Sequence, residues 1–527
     1  MRLAHCPRLS PQSFSARYLH HSAVRIQDHD PEVFPNSLRE TLDAHRASNR
    51  ASLIRFVPPR SPPGRVHRPN VSSENKTPST PSQGKASPKP TLSQQKPTAL
   101  LKHPSRICRP WGSAVARHQY AFSRVPFWVF QQLRWGLSSE EGRSEQSPWL
   151  VHYPRYATNN QADAAGRLDA EIRALEEYLA PTQYEQRKVD QLTTVVAELL
   201  KKVTPYPPQV VGSWCTGVAS GHSDIDFILP VPDVERSMDK IRKPSSTRPQ
   251  VLHVYRKLLR KVERTFKRHP MFTRQTYLSR DRIPSLTAIH FPTGRRFHFR
   301  CGEGLPSSIE HTKEYLAEYP AVRPLYKAIR LILEAQSVFG YIQASISSHA
   351  LLMLLVAFFK MNHGRFQRPD SLGQQLLAFL HTYGSQVDFT TTGVAVDPPG
   401  WFNFDTVRDE QRMWSSPEDI PAHLRGQRSL INLKRTAALR RNLPIAHHLC
   451  IQDPANYMND LGRSCTHTSS LQKAWADAYE RLRAAVDAQD SLTTSFEQSV
   501  LADGLRANFE DFDQGRAALA KASKVIV

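Results

Sequence analysis

The stretch that decides the fold is Gly212–Leu229, which reads GSWCTGVASGHSDIDFIL. Asp224 and Asp226 lie one residue apart at the start of the apolar run that closes it, and such a run predicts a buried strand. Because residues i and i+2 of a strand point to the same face, the two carboxylates are expected side by side. Like charges repel there and desolvation is costly, so a positive charge must compensate them.

A divalent cation is one way to supply that positive charge. Mg²⁺ prefers carboxylate and phosphate oxygens, and two such ions can activate a hydroxyl and stabilise a leaving pyrophosphate. A Gly212-Ser213 turn can bring backbone N–H groups and a hydroxyl close to a triphosphate. Alternatively, Asp224 caps a turn after Ser223 while Asp226 pairs with a lysine. The Gly-Ser pair, ten intervening residues and then Asp-Ile-Asp together favour a nucleotidyltransferase site.

These residues resemble the DNA polymerase β-like nucleotidyltransferase superfamily, and within it the branch of poly(A) polymerases and terminal uridylyltransferases that includes mitochondrial poly(A) polymerase. EIRALEEYLAPTQYEQRKV (Glu171–Val189) is similar to the helical lead-in of that branch. SLGQQLLAFLHTYGSQVDF (Ser371–Phe389) resembles its PAP-associated segment, and LCIQDPANYMNDLGRSC (Leu449–Cys465) resembles its nucleotide-recognition segment. The resemblance implies an α+β fold, with a small mixed-sheet palm and a larger helical domain. The Pro- and Ser-rich composition before them separately predicts a disordered region.

The resemblance also implies template-independent addition of nucleotides to an RNA 3′ end, from ATP or UTP, with Mg²⁺ or Mn²⁺. Asp224 and Asp226 take the positions of catalytic metal ligands, and Gly212 and Ser213 those that contact the triphosphate. The other residues at nucleotide-binding positions are Arg330, Ser348, His349, Asp453, Asn459, Asp460 and Arg463. His349 occupies the place of an aromatic ring that stacks on the base, but Ser348-His349 also reads simply as a helix start.

Two positions depart from the family pattern. A third catalytic carboxylate is expected after the Pro292-Thr293-Gly294 turn, and that position holds His298, which suits Mn²⁺ better than Mg²⁺. Glu303 is a weak substitute because it lies off the strand's spacing. Where the family often has a phosphate-contacting lysine, this chain has Glu334, which leaves Arg330 or Lys327 as the alternative phosphate contact. Two losses leave open a catalytically weakened or inactive RNA-binding scaffold on the same fold.

Composition predicts a globular body behind a basic tail. The net charge is +22, and residues 1–110 hold 18 Lys and Arg against 6 Asp and Glu. Arginines and serines, with no acid before Asp28, are typical of a mitochondrial transit peptide, so we expect the matrix as the location. The expected divisions are 1–27 transit peptide, 28–110 disordered linker, 161–207 helical lead-in, 208–304 palm, 308–490 helical PAP-associated domain and 491–527 helical tail.

Other function classes are disfavoured by the sequence. The six scattered cysteines form no CxxC pair, which argues against a zinc site or disulfide framework. The longest apolar run, Leu351 to Phe359, is too short for a membrane span. A small-molecule nucleotidyltransferase does not explain the long helical region or the Asn459–Arg463 segment. One predicted helix carries a cationic face that fits either a solvated surface or an RNA phosphate track: Arg256, Lys257, Arg260, Lys261, Arg264, Lys267 and Arg268.

Overall fold

The computed structural model describes nine stretches of the chain. They are residues 147–157, 164–231, 249–279, 283–302, 306–340, 343–366, 371–416, 419–491 and 499–521. The predicted transit peptide, the predicted linker and Glu303 lie outside these residues. No helix among the described residues has the length and apolar character that a membrane crossing requires.

Helices make up most of the described chain. They are α1 (Ala164–Leu179), α2 (Gln183–Leu200), α3 (Ser213–Thr216), α4 (Pro249–Arg268), α5 (Ser307–Glu318), α6 (Val322–Ala335), α7 (Ser348–Met361), α8 (Leu372–His381), α9 (Phe404–Arg412), α10 (Ala422–Leu439), α11 (Leu443–Ala446), α12 (Thr468–Ser491), α13 (Val500–Leu505) and α14 (Glu510–Lys521). The strands are β1 (Gln209–Val211), β2 (Ile225–Pro230), β3 (Phe272–Leu278), β4 (Ser285–His290), β5 (Arg296–Gly302), β6 (Gly393–Val396), β7 (Pro399–Phe402) and β8 (Ile451–Gln452).

A five-stranded mixed sheet forms the centre of the palm. Its strand order is β1-β2-β5-β4-β3, and β2 pairs with β5 in parallel whereas the other pairs are antiparallel. A second, three-stranded sheet has the order β7-β6-β8. The predicted α+β class is confirmed, and the Pro292-Thr293-Gly294 turn joins β4 and β5 in an antiparallel hairpin. Two features are not predicted from the sequence. The strand β3 (FTRQTYL) lacks a regular apolar alternation, and the strands of the second sheet have only two to four residues each, too few to reveal a period.

The palm has an apolar core on one face of its sheet. Alternate residues of β2 and β5 supply Phe227, Phe297 and Phe299, and the rings of Phe227 and Phe299 stack with centroids 5.1 Å apart. α4 covers them with Phe266, whose ring centroid lies 5.1 Å from that of Phe299. Because strand side chains alternate between faces, the residues between these phenylalanines point to the other side, where the predicted site lies.

The two lead-in helices belong to different cores. α1 buries Leu168, Ile172 and Leu175 in the large helical core that α6, α7, α8 and α12 also build. α2 buries Val189 and Leu192, among others, in the palm core. Pro181 separates them, and Thr182 and Glu185 form a capping box that starts α2. The lead-in therefore connects the two bodies, while the domain boundaries given above stay predictions.

The helix α14 is held to this lead-in by a buried ion pair. Arg516 donates from Nε and Nη2 to the two oxygens of Glu185 at 2.9 Å each, and from Nη1 to the carbonyl of Tyr178 at 2.7 Å. Glu185 is 3% exposed. Its carboxylate therefore depends on Arg516 and on the capping box for its hydrogen bonds.

We expect Arg516→Ala to destabilise the protein, because Glu185 is then left buried with fewer partners. The cost of such a loss is roughly 2–3 kcal/mol. Urea unfolding followed by circular dichroism measures it. Lys521→Ala removes an exposed cation from the same helix and is the control, expected to change stability by less than about 0.5 kcal/mol. Equal midpoints for the two variants would contradict the structural role of the ion pair.

Candidate functional site

The parallel pairing of β2 with β5 builds the candidate site. Asp226 is registered opposite His298, and Thr287 of β4 is registered opposite His298 on the other side. Arg296, His298 and Arg300 alternate with the buried residues of β5, so they share the sheet face of Asp226. The structure therefore brings the two aspartates and the histidine predicted at the third-acid position onto one surface.

Gly212 lies directly against Asp226. A Cβ atom added to Gly212 would be 2.5 Å from Oδ2 of Asp226, and Gly212 has φ +71°, a conformation that favours glycine. Val211, just before it, is registered opposite Asp226. Ser213 follows at the first residue of α3. The predicted proximity of the Gly-Ser turn to the paired carboxylates is thus present in the structure.

Asp224 is neutralised by two side chains of β5. Arg296 Nε donates to Oδ1 of Asp224 at 3.0 Å, and His298 Nε2 lies 3.1 Å from Oδ2. Nδ1 of His298 lies 2.9 Å from the Thr287 hydroxyl, so a ring protonated on Nε2 donates to Asp224 while Thr287 donates to Nδ1. Burial alone raises the pKa of Asp224, but Arg296 and His298 more than offset this and hold that pKa well below its usual range.

Asp226 is compensated less well. Burial raises the pKa of Asp226, and the charge of Asp224 raises it further, against opposing effects of His298, Arg300 and Arg330. No side chain or backbone group among the described residues donates a hydrogen bond to its carboxylate. Its negative charge is consequently held at a cost that an added cation would relieve.

The donor set can be compared with what a divalent cation requires. Asp224 and Asp226 offer hard oxygens, and the poorly compensated Asp226 suits one such ion together with substrate phosphates. A ring nitrogen replaces the third carboxylate, and Arg296 occupies Oδ1 of Asp224. The residues therefore fit one divalent cation, centred on Asp226, rather than the two-metal arrangement that the family pattern implies.

The loop before Asp224 is fixed by buried donors. The guanidinium of Arg295 donates to the carbonyls of Gly221 and Ser223, and Trp214 Nε1 donates to the carbonyl of Ser223 at 3.2 Å. The Ser223 hydroxyl accepts from the N–H of Ser220 at 2.9 Å. Ser223 thus stabilises the loop, whereas Asp224, which the alternative interpretation made the cap of this turn, pairs with Arg296.

Glu334, the second departure, binds Arg330. Arg330 Nε donates to Oε1 of Glu334 at 2.8 Å, and His222 Nε2 lies 3.6 Å from Oε2. Burial opposes ionisation, yet Arg330 and His222 lower the pKa of Glu334 to about 2. Arg330 still exerts a positive field on Asp226. Lys327 instead donates to the carbonyl of Glu176 at 3.3 Å, buried against α1.

The start of α7 faces the predicted nucleotide-recognition segment. Ser347 caps α7 through the N–H of Ala350, so Ser348 is its first residue and is exposed. Burial lowers the pKa of His349, and the nearby charge of Asp453 partly offsets this. His349 and Asp453 are therefore electrostatically coupled across two segments that are about 100 residues apart in the chain.

Within that segment, the predicted residues hold one another. Asp453 accepts from the Ala455 N–H and from Nδ2 of Asn459, each at 2.9 Å. Asp460 accepts at Oδ1 from the N–H groups of Ile451 and Gly462. Arg463 is exposed. The nucleotide-binding roles of these residues stay predictions, and the contacts show that Asp453 and Asp460 shape the segment.

A second group of potential metal ligands lies beside β8. Among the described residues, His448, Cys450 and Asp460 are the three that place ligand atoms within 4.8 Å of one another. His448 Nε2 lies 2.6 Å from Oδ2 of Asp460, and burial raises the pKa of the Cys450 thiol. The buried ammonium of Lys434 donates to the carbonyls of His448 and Phe389. This polar network satisfies its members internally.

Arg295 and Arg296 are site residues that were not predicted from the sequence. Both follow the Pro292-Thr293-Gly294 turn, and the available signal was the period of two between Arg296 and His298 on β5. That spacing places a cation on the carboxylate face. The family pattern predicts a carboxylate at position 298 and makes no prediction for position 296.

Comparisons with known proteins were made by sequence and by structure. No protein-family model matches the chain. The chain is 22% identical over 356 residues to poly(A) RNA polymerase protein 1 of Eremothecium gossypii, and this alignment covers 65% of the chain and 49% of that protein. It is 22% identical over 361 residues to poly(A) RNA polymerase protein 1 of Saccharomyces cerevisiae, with 66% and 48% covered. The chain spans about half the length of these relatives.

Among solved structures, the polymerase core of TRAMP, an RNA surveillance complex, has a similar fold. The TM-score is 0.53 at 18% identity, over 68% of this chain and 99% of that chain. At this identity the likeness concerns the fold alone. The sequence relatives confirm the resemblance to poly(A) RNA polymerases that the motifs predict, and the structural likeness agrees with it in fold.

Proposed function

We propose that this protein adds nucleotides to RNA 3′ ends without a template, using ATP. The observation that carries the proposal is the contact of Gly212 with Asp226, on the sheet face that also presents Asp224. Gly212 has no side chain, and the charge of the neighbouring Asp226 carboxylate is poorly compensated. Together they leave room for a triphosphate and its cation. The sequence relatives, which are named poly(A) RNA polymerases, support ATP as the substrate.

Each residue of the site has a role in this proposal. Gly212 and Ser213 line the triphosphate, and Arg330 supplies a positive field beside it. His349, which lies near Asp453, offers a ring for the base, and Asn459 and Arg463 are assigned to contacts with the nucleotide. Asp226 and Asp224 hold a divalent cation, which when bound supplies charge neutralisation of the phosphates. Phosphoryl transfer then depends mainly on the positioning that these side chains provide.

The cation is proposed to be Mn²⁺ in preference to Mg²⁺. His298 uses both ring nitrogens for Asp224 and Thr287, so it can bind a cation only by releasing one of these contacts. An imidazole nitrogen freed in this way suits Mn²⁺ better than Mg²⁺, which demands hard oxygen ligands in a near-octahedral arrangement. Arg296 competes with any cation for Asp224, so a weakly bound ion is expected. The same features define the alternative, a non-catalytic RNA-binding protein, which the following experiment separates from the proposed enzyme.

We expect Asp226→Asn to reduce extension of a labelled RNA by roughly 10²- to 10³-fold, because the cation and triphosphate lose their main anionic anchor. The purified protein is incubated with RNA, each of the four NTPs, and Mg²⁺ or Mn²⁺. Glu480→Gln, which neutralises an exposed acid on α12, is the control and is expected to leave extension unchanged. If the wild-type protein binds RNA but does not extend it with any of the four NTPs in either metal, the non-catalytic alternative holds.

Replacing His298 by aspartate is expected to increase activity with Mg²⁺ relative to Mn²⁺. The change restores a carboxylate beside Asp226 and removes the ring that contacts Asp224, so hard-cation affinity rises. The measurements are the Mg²⁺/Mn²⁺ rate ratio and the Mn²⁺ affinity by electron paramagnetic resonance. His298→Asn, which removes the ring without adding charge, is the matched control. An unchanged ratio in His298→Asp would argue against a metal site at this position.

We further propose that the protein acts in the mitochondrial matrix. The support is the basic, serine-containing segment 1–27, which has no acid. A fluorescent protein fused behind this segment is expected to enter mitochondria. Replacing Arg8, Arg17 and Arg25 by glutamate should leave the fusion outside, as seen by microscopy with a matrix marker. Import of that acidic variant would contradict the proposal.

A further inference from the structure

The outer surface of α4 carries a dense group of cations. We call Lys257, Arg260, Lys261, Arg264, Lys267 and Arg268 the basic face of α4, and all six are exposed. The helix contains one acid, Glu263, which binds Lys267 at 2.7 Å and the Thr276 hydroxyl at 3.1 Å. For Lys257, Arg260 and Lys261, the described residues offer no acidic partner.

This arrangement costs helix stability. Lys257 and Lys261 are four residues apart, as are Arg260 and Arg264, and each like-charged pair at this spacing costs about 0.2–0.5 kcal/mol. Lys267 and Arg268 favourably interact with the helix C-terminus, which accounts for those two. The four cations in the middle of the helix have no such benefit, which favours an anionic ligand as the reason for them.

The other side of α4 is fully used by the palm core. Val251, Tyr255, Leu259, Val262 and Phe266 are buried against the sheet. No exposed large apolar side chain lies among the described residues of this helix. An amphipathic helix that inserts into a membrane needs a free apolar face, and α4 has none to offer. A rigid row of cations without apolar neighbours instead fits a polyanion with regularly spaced charges, such as a nucleic-acid backbone.

The location of the basic face defines which part of an RNA it can reach. α4 packs on the sheet face made by Phe227, Phe297 and Phe299, whereas Asp226 and His298 lie on the opposite face. A 3′ end near Asp226 therefore cannot touch α4 directly. Only nucleotides farther upstream, beyond the edge of the sheet, can contact the basic face, which spans about 16 Å along the helix from Lys257 to Arg268.

We propose that the basic face of α4 binds the phosphate backbone of RNA upstream of the 3′ end, as a second RNA-binding surface behind the palm. The inference rests on the proposed function for its choice of RNA. It assigns α4 to substrate retention: long RNAs use both surfaces, and short ones use only the site near Asp226. The binding is independent of base sequence, since it involves phosphates alone.

The test compares two variants of equal charge. In the first, Lys257, Arg260 and Lys261 are all replaced by glutamine, which keeps helix propensity. In the control, Arg428, Arg440 and Lys473, which are exposed cations of the helical region, are replaced by glutamine. Thermal unfolding by circular dichroism establishes that both variants fold. Affinity for RNAs of about 8 and about 40 nucleotides is measured without NTP by fluorescence anisotropy at several salt concentrations.

For the α4 variant we expect weaker binding of the long RNA and a slope of log affinity against log salt that is smaller by about 2. Its binding of the short RNA, and all binding by the control, should match wild type. A long-RNA affinity and salt slope equal to those of the control would overturn the proposal. So would unchanged RNA binding together with lost binding to vesicles of anionic phospholipid, which would assign the face to membranes.

The outcome is separable from that of the proposed function. Wild-type protein that binds long RNA through α4 but extends no RNA would sink the nucleotidyltransferase proposal and leave this inference standing. If instead the protein extends RNA but the α4 substitutions leave its affinity for long RNA unchanged, the nucleotidyltransferase proposal stands and the inference about α4 fails.

Discussion

The compensation of two neighbouring carboxylates is the constraint on which the site depends. Asp224 and Asp226 share one partly buried sheet face, and such charges persist only if cations lie beside them. The parallel pairing of β2 with β5 supplies Arg296 and His298 from the adjacent strand. The division is unequal, because Asp224 contacts both of these side chains and Asp226 is left poorly compensated. Asp224 therefore has protein partners for its carboxylate, whereas the carboxylate of Asp226 is available to a ligand.

The same electrostatic reasoning connects the palm to the helical region. Arg330 and Glu334 lie on α6, while His222 belongs to the palm loop that leads into Asp224. The departure at Glu334 is thus compensated locally, since the acid binds the arginine one helical turn earlier. The phosphate-contacting charge expected at this position is not simply lost: part of it persists as the field of Arg330 on Asp226.

The sequence predicts those helices and strands whose apolar residues recur with a regular period or whose ends are marked by turn residues. The Asp-Ile-Asp strand, the hairpin around Pro292-Thr293-Gly294 and the helix that became α4 follow from apolar spacing and turn residues. It could not predict which groups neutralise Asp224, because that depends on strand order and register, which a single sequence leaves open. Likewise, Asp460 was predicted to bind nucleotide, whereas its engagement by His448 and two backbone N–H groups depends on a tertiary network. Short strands such as β6 and β7 carry too few residues to reveal a period.

The ion pair between Arg516 and Glu185 sets an order for folding. Glu185 lies beside Gly221 of the loop before Asp224, whose carbonyl also accepts from Arg295, and Arg516 is more than 300 residues further along the chain. The palm strands can pair before α14 docks, but the Glu185 carboxylate has its guanidinium partner only once α14 lies against the lead-in. The loop that presents Asp224 therefore acquires its full support late in folding, wherever the chain folds.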